Sequence, residues 1–141
     1  MSRLQSVVLF VLMGNFAFAQ TPSVATMKQL MLDLIHPASN DILLFANRGV
    51  PKNDVEWAAV RRSALTLAES GKLLVTRGPN NQENWKTDAK MLADIGTAAY
   101  KAAQAKDFPA LAALTESLDA SCTTCHKQYR PNVFPREGGS K

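Results

Sequence analysis

Apolar residues in this chain return at intervals of three and four, and few stretches alternate in twos. A spacing of 3.6 residues lays such positions along one side of a helix, so the pattern predicts an all-α protein. Four runs carry it. The first, about Thr21 to Asn47, places Val24, Met27, Met31, Leu34, Ala38, Ile42 and Phe45 on one stripe, with Pro37 expected to kink it near His36 or to divide it into two helices. A loop at Arg48-Gly49-Val50-Pro51 follows, and Asn53 with Glu56 forms a capping pattern that opens a second helix through about Thr76. Its stripe is Val55, Val60, Ala64, Leu67, Gly71 and Leu74.

Gly78-Pro79-Asn80-Asn81 punctuates the chain before a third helix that ends near Gln104, with Trp85, Ala89, Leu92, Ile95, Ala99 and Ala103 on its apolar side. Asp107 then caps a fourth, where Pro109 is tolerated in the first turn, and Leu111, Leu114, Leu118, Cys122 and Cys125 follow before Pro131 stops it. Connections this short favour antiparallel neighbours. The expected architecture is an up-down-up-down antiparallel four-helix bundle.

The 141 residues suffice for one core. They begin with a single positive charge at Arg3, then an apolar run from Val7 through Phe18 that ends at the small-residue triplet Ala17-Phe18-Ala19. That is the layout of a secretory signal, and the run is shorter than the roughly 20 apolar residues a bilayer span requires. The expected division is a signal peptide at 1–19, a helical domain at 20–130 and a frayed tail at 131–141, with no stable membrane insertion after cleavage.

Loss of the signal removes Arg3 and no acid, leaving 15 Lys+Arg against 12 Asp+Glu, a formal +3. Lys101 and Lys106 sit among alanines and beside Asp107 rather than in a basic patch, so the distribution reads as a solvated helix surface and not a nucleic-acid interface.

Both cysteines of the chain lie in Cys122-Thr123-Thr124-Cys125-His126. This is the Cys-x-x-Cys-His pattern of c-type haem attachment. Two thiols one helical turn apart can each add to a vinyl group, while the adjacent imidazole is aimed at iron. A thioredoxin-like dithiol belongs near a βαβ unit, which this helical context lacks, and a zinc site needs four ligands where only the distant His36 remains.

With the signal, the four helices and Cys-Thr-Thr-Cys-His-Lys-Gln-Tyr-Arg near its end, the chain resembles the class II c-type cytochromes, the cytochrome c prime family. The resemblance spans essentially the whole mature chain and includes Trp85 and Asp107. It implies a periplasmic protein, not an enzyme, with one covalent haem c held by Cys122 and Cys125 inside the bundle and its iron bound by His126. It also implies two kinds of member. A methionine from the first helix gives a low-spin electron carrier that serves redox partner proteins, whereas an open sixth position gives a five-coordinate haem that binds nitric oxide or carbon monoxide. Many relatives pair two bundles through their first two helices, a homodimer that the resemblance leaves open here.

Met27 and Met31 lie one turn apart near the start of the first helix, at the height of His126 in an antiparallel bundle. Met31, deeper on the stripe and set in Met27-Lys28-Gln29-Leu30-Met31, is the expected sixth ligand, with Met27 the alternative and Met91 on the third helix a further one. His36, about 7.5 Å farther along the helix than Met31 at 1.5 Å per residue, is set aside. Trp85 is expected to pack on the porphyrin at the haem end, and Arg130, one turn beyond His126, to pair with a propionate.

Overall fold

The structure, a computed structural model, describes residues 23–79 and 82–132. The expected signal peptide and the tail beyond Asn132 lie outside the described residues. Every regular element among the described residues is helical: α1 (Met27–Gln29), a π-helical segment (Leu30–Ile35), α2 (His36–Arg48), α3 (Asp54–Arg77), α4 (Glu83–Ala105), α5 (Phe108–Ala112) and α6 (Thr115–Tyr129). The first three follow without a break and make one rod, α5 and α6 make the last, and four rods pack together around one core.

The first rod begins at Met27, six residues later than the periodicity suggests. Thr26 and Gln29 close a capping box there, the Thr26 Oγ1 accepting from the Gln29 N–H at 3.2 Å and the Gln29 Oε1 accepting from the Thr26 N–H at 2.9 Å. Two donors that a helix start leaves unpaired are thereby satisfied. Val24 falls ahead of the cap and is fully exposed rather than part of the stripe.

Pro37 does not divide the rod. The turn ahead of it widens into the π segment, in which the His36 N–H donates to the Met31 carbonyl five residues back. A proline at 37 has no N–H for the Asp33 carbonyl and its ring crowds that carbonyl, and a wider turn relieves both demands. The wide turn also shifts the phase of the stripe. Leu30, Ile35, Ala38 and Ile42 are buried, whereas Leu34, expected inside, is 42% exposed.

Gly49 takes φ +96°, a conformation that glycine adopts without a Cβ clash, and turns the chain toward α3. Asn53 caps that helix by accepting from the Glu56 N–H at 3.0 Å, and Glu56 reaches back to the Lys52 N–H at 2.8 Å. Val55, in the exposed first turn, is 75% accessible, and the buried side chain at this end is Trp57. Asp107 caps α5 through the Ala110 N–H at 3.0 Å, with Pro109 in the first turn. The expected single fourth helix is interrupted at Ala113–Leu114. There the chain tightens to a three-residue bond from the Leu114 N–H to the Leu111 carbonyl, and the Thr115 hydroxyl takes up the Ala112 carbonyl at 2.9 Å.

Contacts between rod ends establish the antiparallel order. Lys106, just past α4, pairs with Asp54 at the start of α3 at 2.6 Å and holds the Asp54 carboxyl below its usual range. Arg77, ending α3, donates to the Ala25 carbonyl just before α1. Trp85, in the first turn of α4, meets Tyr129, the last residue of α6, edge to face at 4.9 Å. Midway along, the Ser63 hydroxyl donates to the Asp41 carboxylate at 2.8 Å and ties α3 to α2.

The closest approach is between α3 and α4. A Cβ built on Gly71 would lie 2.6 Å from the Ala93 amide nitrogen, and one on Gly96 would strike the Ala68 backbone. Small residues thus let the two backbones nearly touch, while Val60, Ala64, Leu67, Ala99 and Ala103 fill the space beside them with no exposure.

Helix propensity alone makes alanine about 1 kcal/mol better than glycine at an internal position. At Gly96 the obstacle is backbone, which cannot rotate aside. Gly96→Ala is therefore expected to destabilise the protein by about 1–3 kcal/mol net in urea denaturation, the magnitude of an overpacked core. An unchanged or raised midpoint would show that the two helices can separate at little cost.

Candidate functional site

The chemistry-bearing residues of α6 lie on one face because positions i, i+3 and i+4 of a helix are neighbours. Cys122, Cys125 and His126 all border a cavity of about 370 Å³ at the end of the bundle where α1 and α4 begin and α3 and α6 finish. Buried Leu118, one turn before Cys122, fixes this face inward, and the helix closes with the Arg130 N–H donating to the His126 carbonyl at 2.8 Å. Pro131 then disfavours further helix at the residue before it.

The first rod forms another wall with Met31, Ile35, His36 and Ser39, and α3 and α4 contribute Leu74, Trp85, Asp88, Ala89 and Leu92. All six residues singled out from the sequence (Cys122, Cys125, His126, Met31, Trp85 and Arg130) border this one space. A second cavity of about 370 Å³ shares Met31, Trp85, Cys125, His126 and Arg130 and reaches Met27, Lys28 and Tyr129. Met27 therefore stays beside the site. Met91 does not: it is 48% exposed and lines a separate depression with Asp94 and Thr124.

His36, set aside on its distance along the helix, borders the same cavity as His126. In an α-helix a residue five positions on points well away, but in a π turn the fifth residue comes back over the first. Two further lining residues, Ser39 and Asp88, carry no sequence signal of their own. Ser39 follows the stripe residue Ala38 by one, and its position on the wall comes from the phase shift that the π segment introduces.

Trp85 holds the end of the bundle. Its indole N–H donates to the Leu74 carbonyl at 2.7 Å, its ring meets Tyr129, and it fills the space in which a side chain at residue 78 would have to sit.

Burial sets the protonation of the motif. It pushes the Cys125 thiol up to about 11, aided by the Asp88 carboxylate and by Cys122, and it raises Cys122 as well. The motif also lies in the latter half of α6, toward the negative end of the helix dipole. Dithiol oxidoreductases need the reverse, a lowered thiol in an electropositive setting. His126 is displaced downward by burial first, then by Arg130 and His36, which favours the neutral imidazole that a metal requires.

Among the described residues no group of three or more His, Cys, Asp and Glu could by itself hold a metal ion, and no helix is long and apolar enough to cross a membrane. Compared with known protein families, with curated proteins and with solved structures, the chain shows no match.

Two outcomes follow from this geometry. In protein prepared without haem, the His126 ring should titrate below the ordinary 6.5 by proton NMR. Because its folded value is the lower one, the stability this imidazole contributes is full above about pH 6.5 and is lost as pH falls from there through the folded value. Arg130→Ala should raise the midpoint without restoring 6.5, since burial is the largest cause. Trp85→Phe removes the indole N–H and part of the ring, and should cost about 1–3 kcal/mol in thermal or urea unfolding.

Proposed function

We propose that the chain is a periplasmic electron carrier of the class II c-type cytochrome kind, with one covalent haem c in the cavity at the end of the bundle. The observation that carries this reading is that Met31 of the first rod and His126 of α6 border the same cavity, with Cys122 and Cys125 beside the histidine.

The residues present suit such a group. Cys122 and Cys125 are free thiols, one helical turn apart on the cavity face. Ile35, Leu74, Ala89 and Leu92 offer an apolar lining. Ser39, 95% buried on this wall, sets its hydroxyl beside the Cys122 thiol and is a polar group inside an otherwise apolar lining.

When bound, haem iron supplies a one-electron couple between ferrous and ferric states. Cys122 and Cys125 would hold the macrocycle to α6 as thioethers, and His126 would present its imidazole from the same turn. Met31 offers a thioether, which favours the ferrous state and raises the potential relative to a second imidazole. Ile35, Leu74, Ala89 and Leu92 would keep water off the inner part of such a group. Arg130, at the end of α6, provides the charge for a propionate. No substrate is transformed, and the partners are other redox proteins. Attachment of this kind belongs to an exported protein, in keeping with the signal-like segment at 1–19.

The test is an optical spectrum of the periplasmically expressed protein, ferric and ferrous, with and without carbon monoxide, after acid-acetone extraction. Retained haem with low-spin bands, a thioether-to-iron absorption in the red and no response to carbon monoxide is the expected result. High-spin bands that shift with the gas would point instead to a five-coordinate protein that binds nitric oxide or carbon monoxide. Haem that is absent or extractable would overturn the assignment.

A further inference from the structure

The π segment places two donors, not one, from the first rod at the cavity that His126 borders. Met31 and His36 stand five residues apart, and the His36 N–H donates to the Met31 carbonyl, the bond that defines a π turn. That bond sets the two residues one above the other on the rod. Both border the cavity that His126 borders. In a regular α-helix the same pair would be separated by well over a quarter turn, and one of them would leave the wall.

The two differ in how firmly they are held. Met31 is half-buried and packs against the core cluster, whereas His36 is exposed at the rim. Among the described residues, Asn40 is the side chain at hydrogen-bonding range of its ring, at a long 3.4 Å. An exposed ring changes rotamer without breaking packing, on a timescale far shorter than any opening of the bundle. Imidazole is also a good iron ligand, and a stronger donor to the ferric state than a thioether.

We propose that His36 is a second axial donor for the haem assigned above, taking the sixth position whenever the Met31 thioether is withdrawn. The proposal rests on that haem assignment. The exchange trades one iron–sulfur bond for one iron–nitrogen bond and transfers no electron. The product, with imidazoles from His126 and His36, has a lower potential than the methionine form. The first rod would thus keep the site six-coordinate and closed to small gases through a single change of ligand.

The experiment uses the full chain expressed with haem loading, in four variants: Met31→Ala, Met31→Leu, His36→Ala and the double change of Met31→Ala with His36→Ala. Met31→Leu preserves side-chain volume, so loss of the thioether can be read even if the smaller residue weakens the fold. Electron paramagnetic resonance and near-infrared magnetic circular dichroism identify the axial pair. The expected result is a low-spin, two-imidazole signature in at least one of the Met31 variants and its loss in the double variant, which becomes high-spin and binds carbon monoxide. His36→Ala alone should keep the thioether signature.

High-spin spectra in both Met31 variants, with haem still covalently attached, would overturn the role of His36 and leave the haem assignment standing. Low-spin bands that persist in the double variant would overturn it too, by showing that another donor such as Met27 has moved in. Loss of the thioether signature in His36→Ala alone would overturn the order of the two ligands. Absence of covalent haem in the unaltered protein would remove the assignment and the proposal together.

Discussion

One indole ring joins three of the four rods at the end of the bundle where the chemistry is concentrated. Trp85 starts α4, bonds the Leu74 carbonyl near the finish of α3, and abuts Tyr129 at the finish of α6. Each contact is ordinary in size, about 0.5–1.5 kcal/mol for the hydrogen bond or for the aromatic pair. Their joint effect is positional. The turn that carries Cys125 and His126 is packed on α4 through this residue, so the separation between that turn and the first rod, and with it the width of the cavity, follows from where the ring sits. Gly78 is part of the same device, since any side chain there would claim the volume of the indole.

The direction of α6 matters as much as its contents. A pair of cysteines near a helix start gains from the positive end of the dipole and becomes reactive; the same pair near a helix finish, under apolar cover and beside Asp88, stays protonated. Burial and Asp88 thus favour the protonated thiols, and burial of His126 favours the neutral imidazole beside them.

The helical content, the order of the rods and the burial of Trp85, Ala89, Leu92, Ile95, Ala99 and Ala103 were legible because α4 keeps one uninterrupted period. So were the caps at Asn53 and Asp107, where a short polar side chain precedes a periodic run. The clustering of Cys122, Cys125, His126, Met31, Trp85 and Arg130 was legible as well, from motif spacing and antiparallel order together. What the pattern hid lies in the first rod, in Val55 at the exposed start of α3 and in the break at Ala113. A stripe drawn at 3.6 residues per turn cannot register a local change of pitch, so Leu34 was assigned inward and His36 away from the site. The start of that rod was misplaced for a different reason: Thr26 and Gln29 make a capping box, but the apolar residues before it extend the periodicity beyond the point where the backbone can use it. The α5–α6 break has no residue signature, because alanine and leucine are good helix formers and a three-residue bond does not need a special side chain.

The wide turn in the first rod acts as a phase break between two halves of a single piece of secondary structure. Residues ahead of it are angled by the cap at Thr26 and by Arg77 reaching Ala25; residues after it are angled by Ile42 and by Asp41 holding Ser63. A rod of uniform pitch couples every side chain to every other, so a change at one end turns the whole surface. Here a single residue gained or lost within Leu30–Ile35 would turn Met27 and the cap at Thr26 about the rod relative to the part of α2 that Asp41 and Ser63 tie to α3. The parts of the wall ahead of the segment and after it are therefore held in place by different contacts within one rod.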